Sequence, residues 1–222
     1  MVNIMNLIKD RHSVRQYKDV AVEDEKKALL ENYASELSAK SGLRIKVVFD
    51  DPEGFNSALA RYGRFSNVKN YIALLGNSGM DEAAGYYGEA IVLKAQELGL
   101  NTCWVGLTFN KKVVKKLCNP SEKIYCAIAL GYGENQGASH KVKTFEAVTS
   151  IKGTPPENFA EGVEAALLAP TAMNQQNFVI KCREGQCRIV TKHWSPYAKL
   201  DLGIVKYHFE KVTGLKVYEP TK

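Results

Sequence analysis

The chain has no apolar run close to the roughly 20 residues that a membrane-spanning helix requires. Its first residues, Met1-Val2-Asn3-Ile4-Met5-Asn6, have no basic flank, no long apolar stretch and no small-residue cleavage site. Both absences lead to the expectation of a cytoplasmic protein without a membrane partner. Cysteine is sparse, and Cys103, Cys118, Cys126, Cys182 and Cys187 include no Cys-x-x-Cys pair. That odd set excludes a disulfide framework and a zinc ribbon. Cys103, Cys118 and Cys126 lie in apolar surroundings and read as small hydrophobes. Cys182 and Cys187 flank a Glu184-Gly185 turn and can face each other across a hairpin. His193 and His208 have no metal-ligand spacing and no neighbouring carboxylate cluster. Ser13 has no evident Asp–His partner, which speaks against a serine hydrolase. Neither G-x-G-x-x-G nor G-x-x-x-x-G-K occurs, so no Rossmann turn or P-loop holds a phosphate.

What is present is an ordinary globular composition. The 222 residues are 45% hydrophobic and 24% charged, enough to bury a sizeable core without metals or disulfides. The net charge of +6 is divided evenly, +3 over residues 1–150 and +3 over 151–222. A nucleic-acid footprint would mass on one face or tail; a spread excess of this size suits an anionic small ligand.

Periodicity predicts helices over 2–9, 22–39, 81–98, 111–117, 157–168 and 202–212, and strands over 43–49, 71–75, 101–107 and 124–130. Segments 178–182 and 187–191 read as a hairpin, and the mixture is that of an α+β domain. The chain also echoes itself. Gly88 precedes Gly99 by 11 residues and Gly203 precedes Gly214 by the same 11, while each half has an acidic helix start leading to a strand, Arg44-Ile45-Lys46-Val47 or Val179-Ile180-Lys181-Cys182. These offsets suit one unit used twice, the second copy shortened, although glycine helix stops are common in any sequence.

Polar chemistry gathers in four places. Arg11-His12-Ser13-Val14-Arg15 follows the first predicted helix. At helical spacing Arg11 and Arg15 share a face, and two planar forks beside a hydroxyl suit a phosphate or a polarised carbonyl. A solvated basic helix end would look similar. Cys103-Trp104-Val105-Gly106 offers an aromatic and a glycine to a flat ring, or is a core strand with a buried Trp. Lys141-Val142-Lys143 can aim two cations at an anion from an extended segment, or be a surface pair. Pro170-Thr171-Ala172-Met173-Asn174-Gln175-Gln176-Asn177 packs amides and a hydroxyl densely enough to read a heterocycle edge.

Together these stretches resemble the nitroreductase family of FMN-dependent enzymes. Arg11-His12-Ser13-Val14-Arg15 is similar to its opening motif, which contacts the flavin phosphate, ribityl chain and pyrimidine edge. Gly99-Leu100-Asn101-Thr102-Cys103-Trp104-Val105-Gly106 resembles the segment whose backbone passes the reactive ring face. Ile128-Ala129-Leu130-Gly131-Tyr132-Gly133 with Lys141 and Lys143 resembles the closing strand and basic pair. Ala169 through Gln176 resembles the proline-serine-x-x-asparagine-x-glutamine loop.

The order departs from the common pattern. That loop ordinarily follows the first motif, but Ser38-Ala39-Lys40-Ser41-Gly42 lacks it here, and Asn177-Phe178 stand where proline-tryptophan is frequent. The chain therefore resembles a two-half pseudo-dimer. The resemblance implies a central, mainly antiparallel sheet flanked by helices, with an internal pseudo-two-fold repeat. Residues 1–150 would carry most of one FMN site, and 151–222 would supply the partner loop. The implied site is Arg11, His12, Ser13 and Arg15, then Cys103, Trp104, Val105 and Gly106, then Lys141 and Lys143, with Pro170, Thr171, Ala172, Asn174 and Gln176. The implied activity is hydride transfer from NADH or NADPH to a nitroaromatic, quinone or similar small-molecule acceptor, with no side-chain acid or base assigned. A flavin reservoir or redox sensor without efficient turnover is the alternative. The expected state is a monomeric pseudo-dimer or weak homodimer, with neither nucleic acid nor metal.

Overall fold

The computed structural model describes residues 3–217. Val2, where periodicity starts the first helix, lies outside the described residues. The elements run α1 (Ile4–Asp10), α2 (Asp24–Ser41), β1 (Arg44–Val48), α3 (Ala58–Tyr62), β2 (Asn70–Gly76), α4 (Asp81–Glu97), β3 (Asn101–Val105) and α5 (Lys111–Lys115). There follow β4 (Lys123–Gly131), α6 (Phe145–Val148), β5 (Thr149–Lys152), α7 (Phe159–Leu167), β6 (Phe178–Arg183), β7 (Gln186–Thr191) and α8 (Ala198–Thr213). The fold is α+β, as the sequence implies.

These elements form two compact units that interleave along the chain. One unit comprises Arg11–Met80 and Ile91–Ala138; the other gathers the segment up to Asp10, Asp81–Ala90 and the chain from Ser139 onward. The expected chain-order division at residue 150 is therefore not where the packing divides. The physical reason is local: α1 packs with α7 and α8, and Lys9 pairs with Glu164 at 3.0 Å, so the first helix belongs with the last ones.

The first unit is built on an antiparallel sheet of order β1-β2-β4-β3. Every residue of β2 is buried, as is β4 from Tyr125 to Gly131, which is why both read as unbroken apolar runs. In the register Ile72 faces Ile128 and Ala73 faces Ala127. Tyr17, Phe55, Phe65, Tyr71 and Phe109 fill one core with Val14, Cys103 and Val105. Each such aromatic contributes about 1.5–3 kcal/mol on full burial.

The second unit has a three-stranded sheet, β5 parallel to β6 and β6 antiparallel to β7. Glu184 and Gly185, with φ of 50° and 80°, make the two-residue turn of the predicted hairpin. Cys182 and Cys187 face each other in register as free thiols; burial and the neighbouring Cys182 thiol push Cys187 up to about 12. Behind this sheet α8 holds His208, which is fully buried, between the Glu89 carboxylate and the Ala165 carbonyl, each at 2.9 Å.

The repeat has a structural counterpart. α2 and the antiparallel strands β1 and β2, with α3 inserted between the strands, lead to α4, and α7 and the antiparallel strands β6 and β7, joined by a tight turn, lead likewise to α8. Gly99 and Gly214 both follow their helices in the left-handed region, at φ of 77° and 73°, which glycine enters without a Cβ penalty. Within the second unit α4 and α8 cross at near-backbone contact. A Cβ on Gly85 would overlap the Leu200 carbonyl, and one on Gly203 the Glu82 carbonyl.

Two expectations are corrected. α8 begins at Ala198, not Leu202, because Ser195 and Tyr197 carbonyls receive the Ala198 and Asp201 amides at 3.1 and 2.8 Å. The stretch after α1 is extended rather than a helix end. Val14 N donates to the Thr102 carbonyl and Tyr17 N to that of Ser66, while Val14 and Tyr17 are buried. Burial of those two side chains overrides helical continuation from Asp10.

Candidate functional site

In the first unit the extended segment after Asp10 runs beside the edge strand β3, with Ser13 bridged to Thr102 in parallel register. Extended backbone, not helical spacing, therefore sets the directions of Arg11, Ser13 and Arg15. The Cys103 thiol reports it. Burial pushes the thiol up, while Arg15, a hydrogen bond with Ser13 and Arg11 draw it back down. Two guanidinium groups and a hydroxyl thus act on one buried sulfur. Arg11 is only 3% exposed, and Arg15 is exposed, 6.0 Å from the Phe65 ring centroid. Tyr17 turns into the same core as Val14: its hydroxyl donates to the Val14 carbonyl at 2.7 Å, and burial raises its pKa well above the ordinary value.

His12 lies on the other side, where a Cβ on Gly137 would meet its Cβ. That approach is fixed by Asn101, a buried residue absent from the sequence-based set. Its Oδ1 accepts from Gly133 N at 2.9 Å and its Nδ2 donates to Gln136 Oε1 at 3.0 Å. The polar residue opening an otherwise apolar strand was the available signal. β3 divides the predicted ring-facing group: Cys103 and Val105 point into the core, Trp104 is half-buried on the opposite face, and Gly106 follows the strand.

In the second unit Lys141, Lys143, Thr171, Ala172, Asn174 and Gln176 come together around the loop after Pro170. Both side-chain amides are engaged inside it. Gln176, 2% exposed, donates from Nε2 to the Lys141 carbonyl at 2.7 Å and to Asn174 Oδ1 at 2.8 Å, and accepts from Lys143 N at 2.8 Å. Asn174 Nδ2 donates to the same Lys141 carbonyl at 2.8 Å. Lys143 Nζ donates to the Gln175 and Gln176 carbonyls at 2.7 and 3.1 Å. Thr171 Oγ1 accepts from Gln176 N at 3.0 Å and closes the turn. This network holds Met173, Asn174 and Gln176 at positive φ, which non-glycine residues enter only when the surroundings over-determine it. Lys141 remains exposed, its ammonium making no ion pair among the described residues.

Asp201, in the first turn of α8, anchors the loop from beneath, accepting from Ala172 N at 3.0 and 3.1 Å. Sequence reasoning missed it; a lone acid inside Leu200-Asp201-Leu202-Gly203-Ile204 was the signal. Burial pushes its carboxyl up to about 7 from an ordinary 3.8, opposed by the Ala172 amide. A folded-state value raised above the unfolded one means stability is fully present below about pH 4 and is lost as pH rises toward 7. Asp201→Asn keeps an acceptor for Ala172 and carries no charge. Its stability relative to the parent should therefore increase between pH 4.5 and 7.5, by on the order of a few kcal/mol. Urea unfolding of both proteins at the two pH values measures this; parallel pH dependences would refute it.

The profile of the family described as "Putative TM nitroreductase" matches residues 3–213. The chain belongs to that family. As a member of this nitroreductase family it is an oxidoreductase, and solved structures carry the same fold. A protein of Thermotoga maritima described as a "putative nitroreductase" is 22% identical, covers 94% of this chain and 82% of its own, and superposes with a TM-score of 0.68. A similarly described protein of Desulfovibrio desulfuricans, in complex with FMN, is 22% identical, covering 67% of this chain and 96% of its own at a TM-score of 0.54. A third, of Bacteroides thetaiotaomicron and described as a "putative NADH dehydrogenase/NAD(P)H nitroreductase", is 21% identical and covers 67% and 97% at a TM-score of 0.54. No curated protein matches the chain. No described helix is long and apolar enough to cross a membrane.

Proposed function

We propose that this nitroreductase-family chain binds FMN and passes hydride from NADH or NADPH to a small acceptor such as a nitroaromatic or quinone. The observation that carries the reading is the extended segment that pairs Ser13 with Thr102 and so runs Arg11, Ser13 and Arg15 along the edge strand that holds Cys103. A dense cationic patch with a hydroxyl matches a phosphate ester on a polyol arm. Bound FMN would supply the redox chemistry, and the protein supplies binding and electrostatics.

On this reading Arg11 and Arg15 neutralise the phosphate and stabilise negative charge on a reduced ring, and Ser13 hydrogen-bonds the polyol. Lys141 is the cation of the basic pair left available to an anion. Lys143, Asn174 and Gln176 act as positioning residues, because their polar atoms shape the loop that carries Pro170, Thr171 and Ala172. Val105 and Gly106 offer backbone to the ring face, with Cys103 and Trp104 preceding them on β3 and His12 on the neighbouring extended segment. The recurrence of a helix, an antiparallel strand pair and a second helix supports a pseudo-dimer, which we infer to be a cytoplasmic monomer with one flavin per chain.

The test is optical. The purified chain should absorb near 450 nm (roughly, as flavins do), bleach with NADH or NADPH, and recover on adding a nitroaromatic or quinone. Bleaching without recovery would favour the reservoir, and a colourless chain that takes up no FMN would sink the reading.

A further inference from the structure

One face of the β5-β6-β7 sheet carries a regular polar grid. Ser150 and Lys152 on β5, Lys181 and Arg183 on β6, and Gln186 and Arg188 on β7 are all exposed. In register, Ser150 stands beside Lys181 and Lys181 beside Arg188; Lys152 stands beside Arg183 and Arg183 beside Gln186. These residues line a depression of about 580 Å³ whose floor includes Cys182 and Cys187. No carboxylate lines it.

The arrangement is electrostatically unfavourable as it stands. Lys152–Arg183 and Lys181–Arg188 are like-charge neighbours on adjacent strands, and such directly opposed pairs destabilise a sheet. Elsewhere basic side chains are commonly paired, as Arg44 with Glu122 and Lys206 with Glu82 are. Among the described residues none of Lys152, Lys181, Arg183 or Arg188 makes an ion pair or side-chain hydrogen bond. Strands lie about 4.8 Å apart and alternate residues about 6.7 Å apart along a strand, so the four cations fall within an area of roughly 10 by 7 Å. That is a compact cluster in a hollow, not an extended track.

We propose that this face is a binding site for an oligophosphate, either inorganic or as the phosphate chain of a nucleotide. The site is separate from the proposed flavin residues and does not rest on them. Lys152, Lys181 and Arg188 supply point charges and forks to the outer phosphates, and Arg183, flanked on both sides, faces the chain centre. A short run of linked phosphates carries enough negative charge for all four cations; a single orthophosphate cannot reach across the grid. The hollow accommodates one such chain, whereas a nucleic acid backbone would need cations continuing beyond three short strands.

Calorimetry with the full chain and tripolyphosphate, ATP, orthophosphate and a single-stranded oligonucleotide series tests this. Tripolyphosphate should bind saturably at one per chain, at least about tenfold more tightly than orthophosphate, and weaken with salt. Equal affinity for ATP and tripolyphosphate assigns the phosphate chain as the whole ligand; tighter ATP binding assigns a nucleotide. Lys181→Gln with Arg183→Gln should lose at least about tenfold in affinity, while Lys111→Gln with Lys112→Gln, on α5, should change nothing. All four side chains are exposed, so circular dichroism of the variants should match the parent. No saturable tripolyphosphate binding, equal binding of orthophosphate, an undiminished double variant, or oligonucleotide affinity that climbs with length would each overturn the proposal.

Discussion

Arg11→Ala should weaken FMN binding about tenfold or more, the equivalent of the roughly 1.5–3 kcal/mol that a charge-assisted hydrogen bond contributes. The effect is large because the guanidinium is 3% exposed, in surroundings where water screens it poorly. Arg11→Lys keeps the charge but loses the planar fork, so its affinity should fall between parent and Ala variant. Arg15→Ala, at an exposed position, should cost less than Arg11→Ala. Flavin fluorescence titration against each apoprotein, with the apo unfolding midpoint measured in parallel, separates binding from folding. Equal affinity in the parent and Arg11→Ala would show that the buried cation serves another purpose.

Gly203→Ala should be strongly destabilising. The added carbon would overlap the Glu82 carbonyl and crowd Tyr86 N, and no flexible side chain stands between the two helices to absorb it. α4 and α8 must part, costing about 3 kcal/mol, the upper end of overpacking, or a fall in Tm of roughly 6–12 °C for a chain of this length. Gly85→Ala, against the Leu200 carbonyl, should behave alike. Gly214→Ala provides the contrast: a Cβ there meets nothing, but φ is 73°, so only the left-handed penalty of about 1–2 kcal/mol applies. Urea unfolding ranks the three. A Gly214 variant more damaged than the Gly203 variant would contradict the close crossing.

The legible parts were those whose signals are local. β2 and β4 are buried on both faces and read as apolar runs, and the Glu184-Gly185 turn announced its hairpin. The chemistry of Arg11, Ser13 and Arg15 was equally visible, but their conformation was not. Extended pairing with Thr102 and Ser66 depends on partners about 50 to 90 residues away, which local periodicity does not encode. The amides of Asn174 and Gln176 stood out as a cluster, yet their partners sit at Lys141 and Lys143, across α6, β5 and α7. Short α3, α6 and β5 left no periodic trace because they are too brief for one.

The interleaved packing imposes an order on synthesis. The unit made of Arg11–Met80 and Ile91–Ala138 has all its strands once Ala138 has left the ribosome. α1 is translated before that unit, but α7 and α8, against which it packs, are translated after it. For most of elongation its apolar residues Ile4, Leu7 and Ile8 await a surface that has not been made. A nascent chain arrested far enough beyond Ala138 for that residue to have cleared the ribosome, but before α8 has emerged, should therefore protect the β1-β2-β4-β3 sheet from protease while leaving α1 open to cleavage.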